Sequence, residues 1–139
     1  MHPCGCECLR TYMKVSKITI SNRTKKKAEE IKEKYKSIEV LEWGERPPLC
    51  DIVVNTTSIG LKSDDKLDLD FSDCNGDKTK LFYDLIYNPK ETNFLKEARL
   101  RGNKTSNGQK MFLYQAIHAF KIWTNKLNFA PCNLTTGPQ

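Results

Sequence analysis

From Lys17 onward the chain alternates short runs of β-branched residues with stretches whose apolar positions recur at helical spacing. Lys17-Ile18-Thr19-Ile20-Ser21 predicts a strand, with Ile18 and Ile20 on one face. Thr24 to Tyr35 predicts a helix. Ala28, Ile31 and Tyr35 fall at i, i+3 and i+7, one apolar stripe on a Lys- and Glu-rich cylinder, with Thr24 as N-cap. Ile38-Glu39-Val40-Leu41 reads as a second strand and Pro47-Pro48 as a turn. Cys50 to Asn55 reads as a third strand, apolar enough to be expected buried on both faces, as parallel strands are. A polar loop follows from Ser58 to about Lys80, and Leu81-Phe82-Tyr83-Asp84-Leu85 predicts a fourth strand. Thr92 to Arg101 is a helix stopped by Gly102, a residue suited to the left-handed turn beyond a helix end. The last helix runs from Asn107-Gly108 to Trp123. Met111, Phe112, Leu113, Tyr114, Ile117, Phe120 and Trp123 cover most of its circumference, which predicts a largely buried helix. Strands alternating with helices imply an α/β fold with a mainly parallel sheet.

At 139 residues the chain accommodates one ordinary domain. Its 23 Lys and Arg exceed its 17 Asp and Glu, for a net charge of +6. That surplus suits an anionic partner such as a phosphorylated cofactor, nucleic acid or a membrane surface, and equally suits a merely soluble surface. The Lys-rich helix lacks the stacking aromatics of a nucleic-acid face, so nucleic acid is the least supported of these. No apolar run approaches the ~18 residues of a membrane helix, and the amino terminus lacks the basic-then-apolar order of a signal peptide. A cytoplasmic location with reduced thiols is therefore expected. Cys4-Gly5-Cys6-Glu7-Cys8 does not have the ligand spacing of a zinc site, and no second pair follows at a suitable distance, so no metal is expected.

In doubly wound sheets, ligands lie outside the carboxyl ends of the strands, and four segments place polar residues there. Ser21-Asn22-Arg23-Thr24 carries Arg23 where a domain choosing NAD would carry an acid for the ribose 2′-hydroxyl. With Lys25, Lys26 and Lys27 behind it, Arg23 can hold a 2′-phosphate through charge-assisted bonds. The alternative is a solvated basic helix start, although cations there oppose the helix dipole. Asn55-Thr56-Thr57-Ser58-Ile59-Gly60 offers hydroxyls and a glycine that can line a cofactor, or can form an ordinary polar turn. The third segment is Tyr83-Asp84-Leu85-Ile86-Tyr87-Asn88-Pro89. The fourth joins Gly108 to Gln115, an amide among apolar neighbours that needs either a backbone partner or a substrate hydroxyl. His118 reads as a packed or surface histidine.

In this order and spacing the four segments, together with Asn107-Gly108 and Ala119-Phe120, resemble the carboxy-terminal, NADP-binding half of shikimate dehydrogenases from about Val15 to Asn125. The resemblance implies a Rossmann-like doubly wound sheet and NADPH-dependent reduction of 3-dehydroshikimate to shikimate in aromatic amino-acid biosynthesis. It implies that Asn22, Arg23, Thr24 and Lys27 contact the adenosine ribose and its 2′-phosphate. Thr56, Thr57 and Ser58 would line the cofactor, Leu85 and Gly108 would lie near its nicotinamide, and Tyr87 and Gln115 would reach substrate.

Two departures qualify this. The family's glycine-rich turn, which lets backbone close on a pyrophosphate at a helix N-terminus, has no counterpart in Cys4 to Arg10. The family's catalytic Lys and Asp belong to an amino-terminal domain with no counterpart either, so no catalytic residue is expected here. The expected organisation is an atypical segment 1–14, an incomplete Rossmann-like domain 15–126 lacking its first strand, and a disordered tail 127–139. On this reading the chain is a fragment, inactive alone, marginally stable and inclined to self-associate through bare sheet edges. A catalytically inactive module that binds NADP or a protein partner is the alternative.

Overall fold

A computed structural model describes residues 15–62, 64–67 and 80–124. The expectations for segments 1–14 and 127–139 lie outside these residues. Strand β1 (Ile18–Ser21) enters helix α1 (Lys25–Lys34) and returns as β2 (Ile38–Leu41). β2 pairs with β1 in parallel, Ile18 opposite Ile38 and Ser21 opposite Leu41. Parallel neighbours need a crossover, and α1 is that crossover. Its stripe is as the spacing predicts: Ala28 is buried, and Ile31 and Tyr35 pack with it onto Ile20 and Ile38. Thr24 has the extended backbone of an N-cap, but its side chain makes no capping bond. Lys27 N–H instead reaches the Thr24 carbonyl at 3.0 Å.

Strand β3 (Ile52–Asn55) pairs in parallel with β4 (Leu81–Asp84), and β4 with β5 (Lys104–Ser106). Helix α2 (Asn93–Leu100) makes the β4-to-β5 crossover and packs Phe94, Leu95 and Ala98 onto Phe82. The Phe82 and Phe94 rings lie 5.6 Å apart at 52°, a tilted geometry favoured by the ring quadrupoles. Thr92 caps α2 by accepting Leu95 N–H. Gly102, at φ 82°, makes the left-handed turn into β5. Strand β5 was not expected from the sequence, because Lys104-Thr105-Ser106 carries no apolar alternation. Backbone bonding to β4 alone makes it a strand.

The strand orders are β1-β2 and β3-β4-β5. These are the neighbour relations of positions 2 and 3, and of 4, 5 and 6, in a doubly wound sheet ordered 3-2-1-4-5-6. The fold is α/β and Rossmann-like, with parallel strands throughout the described residues. Among those residues, no strand pairs with the second edge of β1 or of β3.

Two expectations about burial are corrected. β3 is not buried on both faces: Ile52 is 41% exposed and Val53 and Val54 are half-buried. One described helix, α2, packs on that sheet, and a strand becomes doubly buried only when both faces are covered. Helix α3 (Gln109–Thr124) is not a buried helix: none of its residues is buried, and Ile122 and Trp123 are 77% and 82% exposed. An all-round apolar helix needs cover on several sides, and the described residues leave all of α3 half-buried or exposed. No helix of the described residues is long and apolar enough to cross a membrane.

Candidate functional site

The polar residues singled out above sit where the parallel strands end. β1 delivers Asn22, Arg23 and Thr24 into the start of α1. Asn22 Nδ2 donates to the Thr24 carbonyl at 2.8 Å, which fixes the bend between strand and helix. The first turn of α1 carries no acid. Lys25 is neutralised from outside: its ammonium bonds Glu42, beyond the end of β2, and lies 3.9 Å from Glu29. The Glu42 hydrogen bond and charge hold the Lys25 pKa above its ordinary value. Arg23, Lys26 and Lys27 are exposed, and no salt bridge among the described residues engages them. Three unpaired cations at a helix N-terminus repel the positive end of the dipole and one another, an arrangement relieved by an anion.

The ends of β3 and β4 form an open groove of about 510 Å³ lined by Thr56, Thr57, Ser58, Leu61, Leu85, Ile86, Tyr87 and Asn88. Five of the residues predicted from the sequence, Thr56, Thr57, Ser58, Leu85 and Tyr87, thus meet in one place. Ile86 and Asn88 belong to the third segment without having been assigned a role, and Leu61 lies outside the four segments. Leu61 and Ile86 give the groove an apolar wall, as small-molecule sites commonly have. A larger concavity on the α1–β2 face is lined by Lys25, Glu29, Lys32, Glu33, Lys36, Val40, Glu42 and Glu45. Its mixed charges mark it as a solvated surface.

Gly108 comes to the groove from the other side. An added Cβ there would lie 2.0 Å from the Leu85 carbonyl oxygen, so only glycine fits. Its N–H points at the Ile86 carbonyl, 3.3 Å away. Asn107 secures the same junction, its Nδ2 donating to the Lys90 carbonyl at 2.8 Å and its Oδ1 accepting Gln109 N–H at 3.2 Å. One turn into α3, Phe112 stacks on Tyr87 with centroids 5.0 Å apart. Gly108, Phe112 and Gln115 fall at i, i+4 and i+7, so Gln115 continues the stripe that faces Tyr87. Gln115 is exposed. Its side-chain amide is thus open to solvent in this chain, and no hydrogen bond among the described residues engages it. His118 is a surface residue. Among the described residues no group of three or more His, Cys, Asp or Glu could hold a metal.

Beneath the groove lies a polar cluster whose bonding the sequence does not reveal, although Asn55 and Asp84 stand in the second and third segments. Asp84 is fully buried and Asn55 nearly so. Asp84 Oδ1 accepts Asn55 Nδ2 at 3.1 Å and Ile86 N–H at 3.0 Å, and Oδ2 accepts the Thr92 hydroxyl at 2.6 Å. Asn55 also donates to the Ile59 carbonyl, while its Oδ1 accepts the N–H and hydroxyl of Thr57 at 3.0 and 2.8 Å. Thr57 Oγ1 in turn accepts Ile59 N–H. Asp65 closes the loop from outside, accepting Gly60 and Lys62 N–H, and these bonds hold its carboxyl below the ordinary aspartate range. Two signals in the sequence pointed here. A side-chain oxygen two residues before a donor makes an Asx turn, and Asn55-Thr56-Thr57 has that form. A lone acid closing an apolar strand must find donors, and Asp84 ends Leu81-Phe82-Tyr83.

No family model matches the chain. "Shikimate dehydrogenase (NADP(+))" of Pelagibacter ubique is 48% identical over 111 residues, which cover 80% of this chain and 41% of that protein. A crystal structure of a shikimate dehydrogenase in complex with NADP+ superposes with a TM-score of 0.68 at 36% identity, over 78% of this chain and 41% of that one. The ligand-free 5-ketofructose reductase of Gluconobacter sp. strain CHM43 superposes with a TM-score of 0.70 at 30% identity, over 81% and 43%. The chain thus spans about two-fifths of the length of the proteins it matches.

Proposed function

We infer from this homology that the chain belongs to the shikimate dehydrogenase family, and we propose that it supplies the NADP-binding part of an enzyme reducing 3-dehydroshikimate to shikimate. The observation that carries the cofactor reading is the unpaired set Arg23, Lys26 and Lys27 where α1 begins, at the carboxyl end of β1. It fits a 2′-phosphate: the site offers a guanidinium, two ammoniums and the positive end of a helix, with no acid in the first turn.

On this reading Asn22, Arg23, Thr24 and Lys27 hold the adenosine ribose and its 2′-phosphate. Thr56, Thr57 and Ser58 line the rest of the cofactor. Leu85 and Gly108, in contact with each other, form the surface near the nicotinamide. NADPH supplies the hydride. This chain binds and orients it, and the apolar side chains of Leu61, Leu85 and Ile86 limit water there. Tyr87 and Gln115, on adjoining parts of the same face, offer a hydroxyl and an amide to the hydroxyls or carboxylate of the substrate. The proposed compartment is the cytoplasm.

One observation favours a second reading, a module that binds NADP without turnover. Among the described residues the groove is lined by hydroxyls, an amide and apolar groups, with no Lys, His or carboxylate to serve as proton donor. Titrating the chain with NADPH and NADH, then adding 3-dehydroshikimate, separates the two. Arg23→Ala should weaken NADPH binding by roughly ten- to a hundredfold, the value of a hydrogen bond to a charged group, and barely alter NADH. Equal losses for both cofactors would refute the 2′-phosphate role.

A further inference from the structure

We propose that Asp84, with Asn55 and Thr92, is a positioning device that sets the shape of the groove and thereby the affinity for the nicotinamide half of the cofactor. The proposal rests on the cofactor reading above and deepens it.

Asp84 is wholly buried, and its three described partners, Asn55, the Ile86 amide and the Thr92 hydroxyl, are all neutral. Burying a carboxylate costs several kcal/mol before compensation, and well-packed apolar side chains often serve stability better. Stability is therefore a weak reason for its presence. Its donors give a stronger one, because they come from three separate segments that lead into the groove. Asn55 precedes Thr56-Thr57-Ser58 and clamps that loop through Thr57 and Ile59. Ile86 is itself a lining residue between Leu85 and Tyr87. Thr92 anchors the start of α2, and its methyl group lies under Gly60, where an added Cβ would come within 3.1 Å of it. Gly60 also has φ 114°, which side-chain-bearing residues rarely adopt, so the loop is seated on Thr92 in one conformation. One carboxylate thus ties both lips of the groove to the helix beneath them. None of these bonds involves β1, α1 or β2.

That separation makes the idea testable on the full 139-residue chain. Asp84→Asn replaces an acceptor by a donor facing the Thr92 hydroxyl, Thr92→Val removes that hydroxyl, and Thr92→Ser retains it. Two ligands report on the two sheets: NADP+, which needs the groove, and adenosine 2′,5′-bisphosphate, which needs only the Asn22–Lys27 end. Amide hydrogen exchange at Thr57, Ile59 and Ile86, with Val40 in β2 as internal control, reports the clamp without any ligand. Asp84→Asn and Thr92→Val should speed exchange at those three amides and weaken NADP+ binding roughly tenfold or more. The bisphosphate affinity and the Val40 amide should stay unchanged, and Thr92→Ser should restore both readouts. If Asp84→Asn fails to fold, the Thr92 pair decides the question. Variants that keep wild-type NADP+ affinity, or that lose both ligands equally, overturn the positioning role alone. A wild-type chain that binds neither ligand overturns the cofactor reading and this inference with it.

Discussion

Replacing Gly108 by alanine would put a methyl carbon 2.0 Å from the Leu85 carbonyl oxygen, 2.6 Å from its carbon and 3.1 Å from Leu85 Cα. Ordinary carbon–oxygen contacts lie near 3.3–3.6 Å, so the two backbones must part by about 1.3 Å. Which side yields is decided by what holds each. β4 is bonded to a strand on both sides and carries the fully buried Phe82. The start of α3 is held by the Gly108–Ile86 and Asn107–Lys90 hydrogen bonds and by the Tyr87–Phe112 stack. Two net hydrogen bonds of about 0.5–1.5 kcal/mol each and a ring pair of about 0.5–1.5 kcal/mol sum to roughly 1.5–4.5 kcal/mol. Overpacking costs about 1–3 kcal/mol and more when backbone is struck, enough to break those anchors but not the sheet. Gly108→Ala should therefore swing the start of α3 away and leave the β3-β4-β5 sheet folded. Urea unfolding should show a loss of no more than about 4.5 kcal/mol, the upper value of those anchors. The ring–ring nuclear Overhauser contacts between Tyr87 and Phe112 should vanish. Wild-type stability with those contacts intact would refute the close approach.

Two further predictions address chemistry and pH. In an enzyme assembled with a substrate-binding partner domain, Gln115→Ala or Tyr87→Phe should impair use of 3-dehydroshikimate while NADPH affinity stays nearly constant; steady-state kinetics that show only a cofactor defect would remove both from the substrate side. The Gly60 and Lys62 amides hold the Asp65 carboxyl below its ordinary value, so its contribution to stability is present above the unfolded pKa and lost as pH falls through the folded one. Asp65→Asn should thus be less stable than wild type at neutral pH and equal to it in strong acid, and thermal melts showing the same difference at both would contradict the linkage.

The regular elements were legible because each wears its period openly. Ala28, Ile31 and Tyr35 declare one helix face, and Ile18 and Ile20 one strand face. β5 was hidden because Lys104-Thr105-Ser106 is a strand only through its bonds to β4, and no pattern of side chains records a backbone partner. The groove residues Thr56, Thr57, Ser58, Leu85 and Tyr87 were found because strand ends are where such folds bind ligands. Asn55, Asp84 and Thr92 were passed over because their importance lies in one another. Each looks ordinary until the fold brings segments 29 and 8 residues apart into contact. The error over α3 has a different origin. Composition shows that a helix is apolar all round, but nothing in it says what covers the helix.

The two apolar clusters described above, one around Ile20, Ala28 and Ile38 and the other around Phe82, Phe94, Leu95 and Ala98, have no residue in common. The buried residues of each lie within one strand–helix–strand excursion, Ile18–Leu41 and Leu81–Ser106, although Val53 and Leu67 also pack on the second, so each can nucleate early from contacts near in sequence. Among the described residues, substitutions in one cluster should therefore add to those in the other with little coupling. A ligand that spans the phosphate-holding end and the groove end would then couple the opening of one cluster to that of the other.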